Sequence, residues 1–277
     1  MTTVLVTGSN GFVGRRLVTA LKRIGFTVET LNEDYFSEKD WQNVLTASLE
    51  HLNPEGVFHV GACSDTLELD VQFMMTRNFE STKIISDWCF RNDRALVYSS
   101  SAANYGTNGS FPSNLYGWSK YVAEQYVIKN QGIALRYFNV FGPGEEDKGK
   151  MSSFIYQAFI KDLNGSPVLL FPKEPKRDFV YIEDVISANI HAFTNYKNIR
   201  KDFYEVSTGV ASTFEEMLQS FGIQFAYADE SSIPEGYQFH TCGDKNKWMI
   251  GWHPEYSLIQ GLQRYQEYLV TKFQKRL

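Results

Sequence analysis

The sequence predicts an α/β protein: a doubly wound parallel sheet with a smaller C-terminal domain. Three observations carry this. Short apolar runs alternate with helical patterns through the first half of the chain. Strand–helix–strand connections of that length build a parallel sheet with helices on both faces. A glycine-rich turn, TGSNGFVG, separates the first strand from the first helix. The alternation stops after Pro143, where the charged loop GEEDKGK (144–150) opens a shorter, more mixed second half.

The elements follow in order. TTVLVT (2–7) is a short apolar strand. GFVGRRLVTALKRIG (11–25) carries Phe12, Val13, Leu17, Leu21 and Ile24 at helical spacing, and Gly25 stops it. FTVETL (26–31) is the second strand, and EKDWQNVLTASLEHL (38–52) a helix ending before Pro54. GVFHVGA (56–62) is the third strand, followed by a long helix over 73–92. ALVYSSS (95–101) is the fourth strand, the helix at Tyr116 follows, and IALRYFNVFG (133–142) reads as the fifth strand. Beyond the charged loop come a helix over 152–163, a strand near 168–171 and RDFVYIEDVISANIHAF (177–193), which reads as a return to the sheet and another helix. The chain ends in an amphipathic helix over 258–273. The expected division is a nucleotide-binding domain over 1–143, with 176–208 returning to it, and a smaller domain over 144–175 and 209–277.

Composition narrows the function. The chain has 277 residues, 43% hydrophobic and 21% charged, as in ordinary globular proteins. A net charge of −5 argues against nucleic acid as a partner, because phosphate binding needs a basic face. No apolar run reaches the about 18 residues that suggest a membrane span. MTTVLVTGSNG enters a strand directly and lacks a signal peptide's basic and apolar regions. Cys63, Cys89 and Cys242 show neither metal spacing nor a disulfide framework. A reducing cytoplasmic compartment, no membrane and no metal are expected.

In TGSNGFVG, Gly8, Gly11 and Gly14 stand three apart, between strand and helix. Glycine there permits a tight turn and close backbone approach to a pyrophosphate, which the helix N-terminus then attracts. A dinucleotide is the expected ligand. An acidic residue at the end of the second strand would hold the adenosine ribose. That end reads LNEDYF, so Asn32, Glu33 or Asp34 can occupy the position. The carboxylates favour NAD, whereas Asn32 with Arg15 or Lys39 nearby permits NADP, and NAD is slightly favoured.

In YGWSK (116–120), Tyr116 and Lys120 are four residues apart. On a helix that spacing puts them on one face, about 5–6 Å apart at Cβ. A free phenol titrates near ~10, and a nearby cation favours the phenolate. The pair can therefore supply a general acid/base. Taken alone the spacing is common, and an exposed aromatic beside an exposed cation would also produce it. Ser101 ends the fourth strand, and ligands bind at the carboxyl ends of strands in such sheets. Its hydroxyl can share a substrate oxygen with Tyr116.

These residues resemble the extended short-chain dehydrogenase/reductase family of nucleotide-sugar enzymes, as do RYFNVFGPG (136–144) and RDFVYIEDV (177–185). The resemblance covers most of the chain. GACSDTLELDVQFMMTRNF (61–79) and FNVFGPGEEDKGKM (138–151) are similar to the ADP-L-glycero-D-manno-heptose 6-epimerase family within it. The resemblance implies a Rossmann cofactor domain in which Gly8, Asn10, Gly11, Phe12, Val13 and Gly14 cradle the dinucleotide. It extends that site to Asn32, Gly61, Ala62, Ser64, Asn78, Tyr116, Lys120 and Val140. It makes Tyr116, Lys120, Ser101 and a second base, Lys148, catalytic. Ser101, Asn139, Gln157, Arg177 and Tyr237 would bind substrate, with Arg177 on its diphosphate. Departures are visible. Lys150 replaces a serine and Gln157 a histidine of the heptose site, and the loops before Tyr116 and Arg177 are short. A related sugar is therefore an open choice.

The implied activity is NAD(P)-dependent epimerisation of a nucleotide-diphosphate sugar by transient oxidation to a ketone and re-reduction, in a homo-oligomer. A 4-epimerase or reductase of another nucleotide sugar is the alternative. A 4,6-dehydratase fits less well, since Ala102 and Ala103 stand where that subfamily has an Asp-Glu pair. A non-catalytic NAD(H)-sensing Rossmann protein would need the glycine turn but not Ser101, Tyr116 and Lys120.

Overall fold

The structure, a computed structural model, describes residues 2–107, 109–234 and 237–274. Its elements in order are β1 (Thr3–Thr7), α1 (Phe12–Arg23), β2 (Thr27–Leu31), α2 (Trp41–Leu52), β3 (Gly56–His59), α3 (Val71–Met75), α4 (Ser81–Arg91), β4 (Ala95–Ser101), α5 (Leu115–Lys129) and β5 (Ile133–Tyr137). Then come β6 (Asn139–Phe141), α6 (Phe154–Leu163), β7 (Leu169–Leu170), β8 (Lys176–Tyr181), α7 (Ile182–Thr194), α8 (Tyr196–Ile199), β9 (Asp202–Val206), β10 (Ala211–Thr213), α9 (Phe214–Phe221), β11 (Ala226–Tyr227) and α10 (Leu258–Phe273). A π-helical turn, Thr76–Glu80, joins α3 to α4.

The chain divides into two compact units. The first holds Met1–Arg136, Ile186–Tyr204 and Met249–Trp252. Its sheet has the order β2-β1-β3-β4-β5-β9, with β1 parallel to both β2 and β3, and β3 parallel to β4. One face is an apolar layer in which Leu5, Val57, Leu96 and Ala134 of the strands meet Leu45 and Leu49 of α2, Ile85 and Trp88 of α4, and Ala123 and Val127 of α5. On the other face Phe58 of β3 packs against Phe193 of α7. This is the expected doubly wound arrangement. Its strand order reverses at β1, between β2 and β3, the place where such sheets bind ligands.

The second unit holds Tyr137–Val185, Glu205–Trp248 and His253–Leu277. Its three-stranded sheet runs β10-β8-β6, with β8 parallel to β6 and antiparallel to β10. Asp178 on β8 is fully buried and accepts from the Thr208 hydroxyl and the backbone N–H groups of Thr208, Gly209 and Gly243. Capping boxes start α9 (Thr213 with Glu216) and α10 (Ser257 with Gln260), and each satisfies two orphan donors of its helix.

Two expectations are corrected. The run 133–142 is not one strand: it breaks at Phe138, whose N–H donates to the Val206 carbonyl, and β6 beyond it pairs with β8. β8 does not return to the first sheet, so 137–185 belongs with the second unit. The apolar period is the same whichever sheet a strand joins. Among the described residues no helix is long and apolar enough to cross a membrane.

Candidate active site

The glycine turn forms a backbone cradle at the reversal point. Gly8 has φ +63°, a left-handed conformation that favours glycine. A Cβ on Gly8 would lie 2.5 Å from the Gly61 Cα, and one on Gly14 would collide with the Gly8 carbonyl. Gly11 is the N-cap of α1 and makes no side-chain cap, and a helix N-terminus directs its first N–H groups toward an anion. Phe12 is buried and Val13 half-buried behind the turn, while Asn10 is exposed at its tip. The cradle fits a dinucleotide, because the two positions where a side chain would fill it are glycines.

Of the three candidates at the end of β2, Asn32 is the one joined to the turn: its Oδ1 accepts from the Ser9 hydroxyl at 2.7 Å. Glu33 is instead paired with Arg77 at 2.8 Å.

The wall beside the cradle is set by side chains that spacing alone did not reveal. His59, fully buried, bridges Thr7 (2.7 Å from Nδ1) and Thr82 (2.8 Å from Nε2). Thr82 donates its hydroxyl to the Asn78 carbonyl, so it accepts from a protonated Nε2. Thr7 accepts from the Gly61 N–H at 3.1 Å and donates to Nδ1. Burial, aided by Lys120, holds the His59 pKa down to about 3, so the ring stays neutral. Asn78 accepts from the Cys63 N–H and donates to the Cys63 carbonyl and the Ser119 hydroxyl. It thereby fixes the segment carrying Gly61, Ala62 and Ser64 against α5.

Asn114 caps α5 by accepting the Gly117 N–H at 2.8 Å. Tyr116 and Lys120 therefore fall in the first two turns of that helix, in the same unit as Ser101. Ser101 ends β4, and its Oγ accepts the Ala103 N–H at 3.1 Å. Burial raises the Tyr116 pKa, the hydrogen bond to Ser101 lowers it, and Cys63 adds to the rise. The expectation that Lys120 would depress the Tyr116 pKa is corrected. Burial brings Lys120 itself down to about 7, with Glu124 opposing. Its nitrogen lies over the Tyr98 ring, 4.4 Å from the centroid. Removing a charge from water outweighs the one-turn spacing.

The other expected residues lie in the second unit. Lys148 is half-buried, in the loop before α6. Its acidic neighbours are engaged. Glu145 is fully buried and accepts from the Gly142 N–H at 3.2 Å and from the Ser153 N–H and hydroxyl. Glu146 pairs with Lys272 at 2.8 Å and accepts from the Tyr268 hydroxyl at 2.6 Å. Burial lowers the Lys148 pKa despite the opposing charge of Glu145. Gln157 donates to the carbonyls of Lys150 and Ser152, so its amide braces this loop.

Arg177 and Tyr237 are brought together: the guanidinium carbon is 5.3 Å from the Tyr237 ring centroid. Arg177 also donates to the carbonyls of Lys176 and Gln238. Burial lowers its pKa, with Tyr237 opposing. Asn139 is exposed and Val140 half-buried on β6. Glu235 and Gly236, beside Tyr237, and Asn108, in the loop before Tyr116, lie outside the described residues.

A dinucleotide cradle at the reversal point, with Ser101, Tyr116 and Lys120 beside it, defines an enzyme of the extended short-chain dehydrogenase/reductase type. More particularly, the chain belongs to the NAD dependent epimerase/dehydratase family, whose profile matches residues 4–207. The ADP-L-glycero-D-manno-heptose-6-epimerase of Brachyspira hyodysenteriae is 31% identical, covering 96% of this chain and 97% of that protein. The enzyme of the same name from Alkalilimnicola ehrlichii is 34% identical, over 87% and 88%. Among solved structures, the Helicobacter pylori ADP-L-glycero-D-manno-heptose-6-epimerase matches with a TM-score of 0.84 and 27% identity, over 97% of this chain and 96% of that one. The Thermotoga maritima UDP-glucose 4-epimerase shares the fold, with a TM-score of 0.85 and 23% identity over 98% and 100%.

Proposed function

We propose that the protein is an NAD-dependent nucleotide-sugar epimerase acting on an ADP-heptose or a closely related sugar nucleotide. The observation that carries the reading is the gathering of Ser101, Tyr116 and Lys120 beside the Gly8–Gly61 cradle. NAD, when bound, supplies reversible two-electron oxidation of a carbinol. Gly8, Gly11 and Gly14 would hold its pyrophosphate, and Lys120 its ribose. Tyr116 takes or gives the hydroxyl proton of the sugar where its oxygen lies on the Tyr116 side. Ser101 orients the same oxygen. Its hydrogen bond also pulls the phenol toward the anion against the rise caused by burial. Inversion presents the oxygen in two positions. Lys148 handles the proton at the second, and its lowered pKa supports that role. Arg177 and Tyr237 clamp the diphosphate, a pairing suited to a planar guanidinium.

The sugar is supported by the identity to the two heptose epimerases. One observation favours a related sugar instead: Gln157 spends its amide on the loop carbonyls of Lys150 and Ser152. The test is a panel of sugar nucleotides, ADP-L-glycero-D-manno-heptose and UDP-glucose among them, incubated with the NAD-loaded protein and followed by proton NMR. Inversion of one carbinol centre supports the reading. Net conversion of one added NADH per sugar would replace it with a reductase.

A further inference from the structure

Glu124 lies two turns beyond Tyr116 and one beyond Lys120, so the three share a face of α5. It is fully buried. Its carboxylate accepts from the Ser100 hydroxyl at 2.7 Å and the Asn104 amide at 3.0 Å. Arg136 on β5 donates to it from Nε at 2.8 Å and from Nη2 at 2.5 Å. The ion pair is almost entirely shut off from water, with side-chain exposures of 7% for Arg136 and 0% for Glu124. The guanidinium lies 3.7 Å from the Phe203 ring centroid and 4.6 Å from that of Tyr105.

Two features set this pair apart from a generic core contact. A buried ion pair is a weak device for stability, since apolar groups of the same volume often serve as well. Its other donors are chosen residues: Ser100 precedes Ser101, and Asn104 closes the turn that Ser101 caps. One carboxylate therefore grips both sides of Ser101 from the helix that bears Tyr116 and Lys120.

We propose that Glu124 is a positioning residue of the reaction centre: its negative charge faces the Lys120 ammonium, and its hydrogen bonds lock the end of β4 onto α5. The inference rests on the catalytic reading above. Among the described residues, the charged and titratable groups around Lys120 are these. Tyr116 and Glu124 share its helix. Tyr98 on β4 lies under its nitrogen, and its phenol is held well above the usual range by burial. His59 on β3 is held neutral by burial. Arg136 lies on the far side of Glu124. Glu124 is thus the anion that opposes the loss of the Lys120 proton, as the direction of its effect on Lys120 records. Neutralising it makes Lys120 titrate at lower pH.

The test compares wild type, Glu124→Gln and Glu124→Gln/Arg136→Met. The double variant leaves no unpaired guanidinium, so it keeps the fold where the single variant fails to. Two quantities are read: thermal midpoint, and NADH affinity across pH by fluorescence, with no sugar present. In wild type the affinity falls on the alkaline side as Lys120 loses its proton. One unit charge at about 6 Å and an effective dielectric near 20 is equivalent to roughly two pH units. Glu124→Gln should move that alkaline limb down by about one to two units, and the double variant should move it the same way by less. The double variant should also regain most of the thermal midpoint while its limb stays below that of wild type. If it regains both, Glu124 is structural only and the proposal is overturned. An alkaline limb absent from wild type would overturn it equally. Wild-type turnover in Tyr116→Phe would overturn the catalytic reading and this inference with it. A lost turnover there, with an unshifted limb here, removes this inference alone.

Discussion

Replacing Gly8 with alanine tests the cradle directly, and the structure sets the scale of the effect. Gly8 sits at φ +63°, where an L-residue costs roughly 1–2 kcal/mol. The new Cβ would stand 2.5 Å from the Gly61 Cα and 2.7 Å from its nitrogen. Both are backbone atoms, held through Thr7 and His59, so the strand end must shift, at roughly 1–3 kcal/mol. Together that is about 2–5 kcal/mol, or roughly 3–9 °C in thermal midpoint for a chain of this length. The same shift displaces the N–H groups facing the pyrophosphate. Losing one such charge-assisted bond, worth about 1.5–3 kcal/mol, weakens NAD by about 10- to 150-fold. Gly25→Ala is the control. Gly25 has φ +93°, but nothing lies within 4 Å of its added Cβ, so it bears strain without collision. It should lower the midpoint modestly and leave NAD affinity unchanged. Scanning fluorimetry and calorimetric NAD titration read both quantities. A Gly8→Ala protein with wild-type midpoint and NAD affinity within twofold would refute the cradle.

Three more outcomes follow from the site. Tyr116→Phe removes one hydroxyl and should slow epimerisation by about 10²–10⁴ with little change in thermal midpoint, read by NMR; a rate within twofold of wild type would remove Tyr116 from the mechanism. Lys148→Met should slow epimerisation by at least ~10² without weakening NAD; near-normal turnover would leave Tyr116 as sole base. Arg177→Ala should raise KM strongly while leaving NAD affinity nearly intact, and loss of NAD affinity with an unchanged KM would reassign Arg177 to the cofactor.

The parts legible in the sequence were those coded locally. The Gly8-Gly11-Gly14 turn announced itself because left-handed and crowded positions admit only glycine. β4 and α10 were found at their observed ends, since Ser101 and the Ser257–Gln260 box mark true boundaries. What was not legible depended on partners far along the chain. The break at Phe138 follows from where β6 pairs, which periodicity does not encode. Glu124 and Arg136 read as ordinary charges until folding buries one against the other. In the sequence Lys148 stands beside Glu145, Glu146 and Asp147, whose charges would raise its pKa. Folding engages the first two elsewhere, so burial decides its direction. For Tyr116 and Lys120 the reverse holds: the one-turn spacing implies charge coupling, whereas burial governs both groups.

The most direct measurement is epimerisation of ADP-L-glycero-D-manno-heptose by the NAD-loaded protein in D₂O, followed by proton NMR. The C6 epimer should accumulate to equilibrium with no deuterium at the inverted carbon and no net NADH, because the hydrogen passes to the nicotinamide and back without meeting solvent. Solvent deuterium at that carbon, or no inversion of either this sugar or UDP-glucose, would contradict it.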